Sequence, residues 1–567
     1  MFAHHRLFLS ASRSLSSSAV EVVQKAWSPS NALRYNENAL RELLRPREDH
    51  QVPPLDQVAL LPRKVAMPNF SSSEYMSKKT NAALIQSSLV FKLCQVPFFV
   101  HHGEQLLEYM RKGIGDTLTD ALVKNTFFRQ FCGGETSSEV QRTIQELKKS
   151  NMNVILDYAA ENATAPDEDL CSYESTEGIF NQPARQYIYE DETVCDEHMR
   201  TFLDCIRTAS EVSSTGFVAV KVTALGDPRL LRRISQAIQE ATRIFQDIDS
   251  DNDGIISTSD FIQGYRQNFN DTNANISLLL NILDPSNCGE IPFEMWRRLF
   301  TPSYLPLIST KTALTEAEAK SMSALETRML TVCQEAFNHG VRVSIDAEQS
   351  WFQTAIDNYA ILCQQIFNAK DKTDHPIIYQ TYQCYLKDSY QRVQMDYERS
   401  KQLDYHFAAK LVRGAYMVKE RQVAESRGYD SPIHETFQDT SRCYDQSVDF
   451  LMRHKVYDNS SLEIMCATHN EDSIKHTISL FEELGLSEDQ CRDISFAQLY
   501  GMSDNLTYPL AAENYQTYKY LPYGRVKEVI PYLLRRAQEN GDVLGKSAIE
   551  GKANITELKK RVLQFFR

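Results

Sequence analysis

Phe217–Leu225 reads FVAVKVTAL, a run of β-branched and small apolar residues broken only by Lys221 and Thr223. A strand apolar on both faces has to be covered on both faces, which points to a parallel sheet packed under helices. Seven further runs of this kind recur: Asn153–Asp157 (NVILD), Val341–Ala347 (VRVSIDA), Ile377–Tyr382 (IIYQTY), Ala409–Ala415 (AKLVRGA), Glu463–Thr468 (EIMCAT), Ile494–Leu499 (ISFAQL) and Tyr518–Pro522 (YKYLP). Each is followed by a longer segment of helical period. Eight such units are the number that closes a (β/α)8 barrel, whose chemistry stands at the C-terminal ends of the strands. A doubly wound sheet is the competing architecture, but no Gly-x-Gly-x-x-Gly turn follows any run. Lys221, Asp346, Gln383, Arg413, His469 and Tyr520 lie within or just beyond these runs. Singly, each reads as an ordinary polar residue at a strand end; together they point to a site.

The longest interval between runs, Leu225 to Val341, holds a second motif. Residues 249 to 260 read DSDNDGIISTSD, with Asp249, Asp251 and Asp253 at loop positions 1, 3 and 5, Gly254 at 6, Ile255 at 7 and Asp260 at 12. This is the pattern of an EF-hand loop: alternating carboxylates converge on a hard cation, glycine takes the sharp turn and Ile255 offers its carbonyl. The expected ion is Ca2+, with Mg2+ competing, because Asp260 is a methylene shorter than the usual glutamate. A second loop, Asp284–Met295, keeps Asp284, Gly289 and Ile291 but has Cys288 at position 5 and Met295 at 12. It is expected to be the structural mate of the first loop and a poor metal binder. The module is expected to span 230–302, with barrel segments at 151–229 and 303–545.

The 567 residues are 42% apolar and 24% charged, so a globular chain with a sizeable core is expected. With 61 basic against 75 acidic residues the net charge is -14, which excludes nucleic acid as a natural partner. Twelve cysteines without a Cys-x-x-Cys pair fit reduced thiols. The first acid is Glu21, after Arg6, Arg13 and several serines, so residues 1–26 read as a mitochondrial transit peptide. Residues 27–150 read as a linker and helical arm. No stretch reaches the ~18 apolar residues of a spanning helix. The nearest, Ala82–Val100, contains Gln86, Lys92, Gln95 and Pro97 and reads as a buried or interfacial segment. In the terminal segment 546–567, Ile555–Arg567 (ITELKKRVLQFFR) forms a basic amphipathic helix with Ile555, Leu558, Val562 and Phe566 on one face. It either docks on the barrel or touches an anionic membrane surface.

Several segments, in order, carry a family resemblance: IDAEQ at 345–349, YQCYL at 382–386, KLVRGAY at 410–416, ATHNED at 467–472, FAQLYGM at 496–502 and YKYLPYGRVKEVIPYLLRRAQEN at 518–540. They resemble the proline dehydrogenase family, nearest its mitochondrial animal members. The resemblance implies a distorted barrel that binds FAD, oxidises L-proline to Δ1-pyrroline-5-carboxylate by hydride transfer to flavin N5, and passes electrons to ubiquinone. It also implies a place in the mitochondrial matrix, peripheral to the inner membrane. On the substrate side it implies Arg535 and Arg536 gripping the carboxylate with Lys221, Asp346 pairing with Lys221, and Glu161 closing over the arginines. Tyr416, Leu499 and Tyr520 would wall the ring. Tyr520 would crowd a 4-hydroxyl, which favours proline over hydroxyproline, the alternative substrate. On the flavin side it implies Gln383, Lys410, Val412, Gly414, Thr468, His469, Asn470 and Glu539. A reading of a different class, an inactive barrel acting as a calcium-responsive binding protein, is opposed by the retention of Lys221, Asp346, Arg535 and Arg536.

Overall fold

The computed structural model describes residues 66–71, 74–96, 98–99, 102–159, 162–163, 185–186, 191–212, 216–269, 273–309, 311–458, 460–542 and 546–565. The expected transit peptide lies outside them. Eight parallel strands close on themselves: β1 (Asn153–Tyr158), β2 (Phe217–Val220), β3 (Arg342–Ile345), β4 (Ile378–Gln383), β5 (Ala408–Val412), β6 (Glu463–Ala467), β7 (Ile494–Leu499) and β8 (Gln516–Tyr523). Closure is by β1, which pairs with β2 (Asp157↔Ala219) on one side and β8 (Ile155↔Tyr520) on the other. All eight expected runs are strands of this barrel. FVAVKVTAL is strand only to Val220, however; Val222–Ala224 turns as a 3-10 helix. The Thr223 N–H and hydroxyl both donate to the buried Glu348 carboxylate (3.2 and 2.6 Å), which bends the chain off the sheet.

Alternation sorts the strands into an inner and an outer set. Ile155, Phe217, Ala219, Tyr379, Ala408, Met465, Ala497 and Tyr518 fill the lumen. The Phe217 ring stands edge-on to Tyr379 and Tyr518, with centroids 4.9 and 5.2 Å away. The neighbouring residues Val218, Val343, Leu411, Ile464 and Phe496 pack outward against the helices. At the N-terminal end, Arg342 grips Glu463 with two hydrogen bonds (2.8 and 3.0 Å), and His375 Nδ1 lies 3.5 Å from the same carboxylate. That ion network caps the floor, so the polar groups of the site are left to the opposite mouth.

Helices from both chain ends brace the mouth. In the N-terminal arm, Asn81–Cys94, Gly103–Ile114 and Asp116–Val123 pack toward helix Val526–Asp542, with Val90, Cys94, Val123 and Phe131 meeting Val529, Tyr532 and Leu533. A Cβ at Gly103 would come within 2.5 Å of Leu534, so the arm approaches that closely only because residue 103 has no side chain. The C-terminal helix Lys546–Phe565 lies along Asn81–Cys94. Asn554 donates to the Ser87 hydroxyl (3.1 Å), and Arg561 donates to the carbonyls of Met76 and Lys79 (2.7 and 2.9 Å). Of the alternatives open for the tail, its inner face is thus taken up by the arm. Among the described residues, no helix is long and apolar enough to cross a membrane.

Helix Pro228–Ile248, between β2 and β3, serves two structures. Its Ser235 hydroxyl accepts the Ala355 N–H (3.0 Å) of barrel helix Ser350–Phe367. Further along, Trp296 Nε1 donates to the Ala241 carbonyl (3.0 Å), and Phe245 meets Phe293 and Trp296 edge-on or tilted. The expected boundary at 229/230 therefore falls inside a continuous helix. Two loops follow whose short strands pair antiparallel, Ile255–Ser257 with Glu290–Pro292, in register Ile256↔Ile291. The loops repeat each other's backbone: Asn252 and Gly254 have φ of 56° and 79°, and Asn287 and Gly289 have 51° and 85°.

Candidate active site

The side chains at the C-terminal ends of the strands converge in the mouth. Asp346, just past β3, accepts the Tyr520 hydroxyl from β8 on Oδ2 (2.9 Å) and pairs through Oδ1 with the ammonium of Lys410 on β5. The Lys410 Nζ also lies 5.5 Å from the Tyr520 ring centroid, in cation–π range. Three strands that are not neighbours are thus tied across the opening. The expected Asp346–Lys221 pair does not form. Lys221 reaches instead toward the adjacent strand, where its Nζ lies 3.5 Å from Asp157 Oδ1, both groups buried. Lys221 is still extended (φ -99°, ψ 126°) and follows Phe217 and Ala219 in the inward alternation, which carries its ammonium to Asp157 on the neighbouring β1, while Asp346 is taken up by Lys410 and Tyr520.

Arg535 and Arg536 occupy successive positions on helix Val526–Asp542 and are only 3% and 2% exposed. That burial rules out a solvated helix face, where adjacent arginines are ordinarily found. The Tyr532 ring, one turn earlier, stacks beneath them with centroids 6.0 and 5.1 Å away. Burial pushes the Tyr532 phenol well above its ordinary range; Arg536 opposes the shift, and Cys132 and Asp157 add to it. Asp157 therefore acts electrostatically on Tyr532 as well as pairing with Lys221. Glu539, expected on the flavin side, accepts a 2.6 Å hydrogen bond from Arg536 Nη2. Glu161 lies outside the described residues.

The remaining expected residues line the same mouth. Gln383 ends β4 and donates to the Glu348 carbonyl (2.7 Å). Val412 ends β5, and Gly414 follows at φ 133°, where a Cβ would lie 2.5 Å from the Tyr385 ring. Thr468 accepts from Arg413 Nε (3.2 Å) and from the Asn470 N–H (3.1 Å). Asn470 in turn caps the next helix through Ser473 N (3.0 Å). His469 Nε2 accepts the Leu499 N–H (3.0 Å), tying the ends of β6 and β7 together. Leu499 and Tyr416 supply apolar wall, the latter buried where helix Met417–Arg427 begins.

Two buried carboxylates escaped the reading of the sequence. Asp157 sat in plain view as the last residue of NVILD, but nothing in one strand says which neighbour its carboxylate meets. Glu348 belongs to IDAEQ, yet its bonds to Thr223, 125 positions away, have no local signal.

In the insertion, ligand-capable atoms of Asp249, Asp251 and Asp253 lie within 4.8 Å of one another. Asp249 Oδ2 accepts the Gly254 N–H (2.9 Å), while its Oδ1 is buried without a hydrogen-bond partner. Burial, then the neighbouring Asp251 and Asp253, hold its carboxyl above the usual range. The Ile255 N–H bonds Asp253 Oδ1 (2.8 Å). Asp260 is not in the cluster: it accepts from the Ser257 hydroxyl (2.6 Å) at the start of helix Thr258–Asn268. In the second loop Asp284 has protein donors on both oxygens, Cys288 N (2.8 Å) and Gly289 N (2.9 Å).

A closed parallel barrel with paired charges and aromatic walls at its C-terminal mouth defines an enzyme of the (β/α)8 class. The chain belongs to the proline dehydrogenase family, whose sequence profile matches residues 140–548, and is an oxidoreductase acting on proline. It is 32% identical over 543 residues to "Proline dehydrogenase 1, mitochondrial" of Bos taurus, covering 87% of this chain and 89% of that one. It is equally 32% identical over 541 residues to the Homo sapiens protein of the same name, covering 86% and 88%. A Xenopus laevis protein named "Hydroxyproline dehydrogenase" is 27% identical over 498 residues, covering 87% and 90%.

Proposed function

We propose that the chain is an FAD-dependent enzyme that converts L-proline to Δ1-pyrroline-5-carboxylate and passes the electrons to ubiquinone on the matrix side of the mitochondrial inner membrane. The observation that carries the substrate half is the buried arginine pair. Two guanidinium forks side by side at a barrel mouth form an anion clamp suited to an amino-acid carboxylate. Lys221 adds a third cation, held by Asp157. Leu499, Tyr416 and Tyr520 then offer apolar surface to the pyrrolidine ring. The hydroxyl of Tyr520 is fixed by Asp346, so it stands as a rigid wall where a 4-hydroxyl would need room.

The residues present fit a flavin. Gln383, Lys410, Val412, Thr468, His469 and Asn470 gather on the ends of β4, β5 and β6, and the open backbone at Gly414 packs where a side chain would collide with Tyr385. FAD, when bound, supplies the acceptor for the hydride leaving the ring carbon beside nitrogen. The chain's own part is to orient proline by its carboxylate, to hold Lys410 charged beside Asp346, and to exclude water. No side chain is assigned as general base, since a substrate amine entering deprotonated needs none. Purified protein should absorb near about 450 nm and lose that band when proline is added without an acceptor. A chain that binds no flavin, or whose flavin ignores proline, would overturn this reading, and higher efficiency on trans-4-hydroxyproline would reassign the substrate.

The loop 249–260 is read as an EF-hand that takes Ca2+, with Mg2+ competing. Supporting this, Asp249 Oδ1 is buried without a hydrogen-bond partner, and the converging carboxylates of Asp249, Asp251 and Asp253 have no salt-bridging cation among the described residues. Ion binding would draw the Asp260 carboxylate from the Ser257 hydroxyl toward the cluster and so modulate the barrel through helix Pro228–Ile248.

A further inference from the structure

The loop that leaves β7 runs from Leu499 to Ser503, with Gly501 and Ser503 both at positive φ (74° and 52°). A serine in that region is strained and stays there only where its surroundings hold it. Donors from outside the loop supply the constraint. Gln130 Nε2, from the N-terminal arm, donates to the Gly501 carbonyl (2.8 Å), and Lys519 Nζ donates to the carbonyls of Met502 (2.7 Å) and Leu499 (3.4 Å). Lys519 stands on β8 between Tyr518 and Tyr520, which face the lumen, so its own side chain passes outward to the loop. Leu499 and Tyr520 are register partners across β7 and β8. One lysine therefore adjoins both residues read as the wall against the substrate ring. The ammonium is itself held. Its third acceptor is Asp504 Oδ1 (2.8 Å), which completes the donor set of a lysine that is 1% exposed. The other oxygen of Asp504 takes Lys79, whose Nζ stands 5.8 and 5.9 Å from the ring centroids of Tyr75 and Tyr508. The Asp504 N–H donates to Glu550 Oε1 (3.2 Å) on helix Lys546–Phe565. The N-terminal arm and the C-terminal helix thus converge on one buried carboxylate.

We infer that Lys519 is a positioning residue for the wall of the substrate ring, and that Lys79, acting through Asp504, keeps it in place. Without Lys79, Asp504 Oδ2 is left buried and unpaired beside Lys519. The ammonium then turns to serve both carboxylate oxygens and gives up its longest bond, the one to the Leu499 carbonyl. Leu499 shifts at the head of its strained loop, and its spacing from Tyr520 changes. The arginine pair, on helix Val526–Asp542, has no part in these contacts and keeps its grip on the carboxylate. The inference rests on the reading of Leu499 and Tyr520 as the ring wall, and adds what fixes that wall.

Two inhibitors separate the wall from the carboxylate clamp: cyclopentanecarboxylate offers a ring and an anion, acetate the anion alone. With the full-length, flavin-loaded protein, Lys79→Met should weaken competitive inhibition by cyclopentanecarboxylate about tenfold and leave that by acetate unchanged. The Michaelis constant for proline should rise by more than kcat falls. Lys79→Arg, which keeps a cation on Asp504, should restore wild-type behaviour. Flavin content and melting temperature report folding, and Lys79→Gln serves if the methionine variant loses its flavin. Inhibition by cyclopentanecarboxylate that the substitution leaves intact, or equal weakening of both anions, would overturn the proposal. In the wild-type protein, cyclopentanecarboxylate binding no tighter than acetate would instead overturn the wall reading on which the proposal stands, so the two failures are distinguishable.

Discussion

The carboxylate of Asp346 is shared between Lys410 and Tyr520, which places one anion at the crossing of β3, β5 and β8. Lys410 is buried and has Asp346 as its counter-ion, so removing either charge strands the other away from water. Lys410→Met is expected to cost about 3–5 kcal/mol of stability, the usual penalty for breaking a buried pair from one side, and to lower retention of flavin. Thermal melting and the flavin-to-protein absorbance ratio of the purified variant check both parts. A variant that keeps wild-type stability and flavin content would remove this pair from the list of organising contacts.

The arginine clamp makes a kinetic prediction. Arg535→Met should raise the Michaelis constant for proline by about ten- to a hundredfold, the loss of one charge-assisted carboxylate interaction of ~1.5–3 kcal/mol, with flavin still bound. An unchanged Michaelis constant would exclude Arg535 from carboxylate binding.

Asp157 holds Lys221 across 3.5 Å, and Asp157→Asn should leave the lysine in place but less well oriented. The expected result is a fall of about tenfold in kcat/KM, smaller than for Lys221→Met, with the double variant no worse than Lys221→Met alone. Additive losses would show that the two residues act independently.

Calcium should raise the melting temperature of the wild-type protein and not of Asp249→Ala. Saturation at about a hundredfold over the dissociation constant corresponds to ~2.7 kcal/mol. Equal melting curves with calcium and with a chelator would make the loop a structural turn only.

Glu326, on helix Glu316–His339, is buried, and burial raises its carboxyl to about 7. The folded state therefore binds this proton more tightly than the unfolded chain, and the associated stability is present below the unfolded value near 4.5 and lost as pH rises through about 7. Glu326→Gln should remove that loss and be more stable than wild type at pH 8, by on the order of 3 kcal/mol. Urea unfolding at pH 5 and pH 8 decides it; a stability difference between the two proteins that does not change with pH would contradict the assignment.

The barrel was legible because its strands are short apolar runs, and all eight fall where the hydrophobic pattern put them. The ends of the runs also placed Lys221, Asp346, Gln383, Arg413, His469 and Tyr520 at one rim before any coordinates, and the family resemblance added Lys410. What the pattern does not carry is the pairing among them. Asp346 could meet Lys221 on the adjacent strand or Lys410 two strands on, and strand order alone does not say that it takes Lys410 while Lys221 meets Asp157. Asp260 was assigned by loop position, but its side chain accepts the hydroxyl of Ser257, the residue that caps the following helix. Ala82–Val100 was read as buried or interfacial, and packing splits it: Leu84, Val90, Phe91 and Cys94 are buried while Ile85 and Leu89 are exposed.

Helix Pro228–Ile248 gives the insertion no seam on its N-terminal side. A cut anywhere along it removes a stave from the barrel and a wall from the paired loops together, so the module is not a cassette that can be excised to leave a minimal enzyme. By the same continuity, a substitution on one side of this helix answers to the barrel, and one on the other to the paired loops.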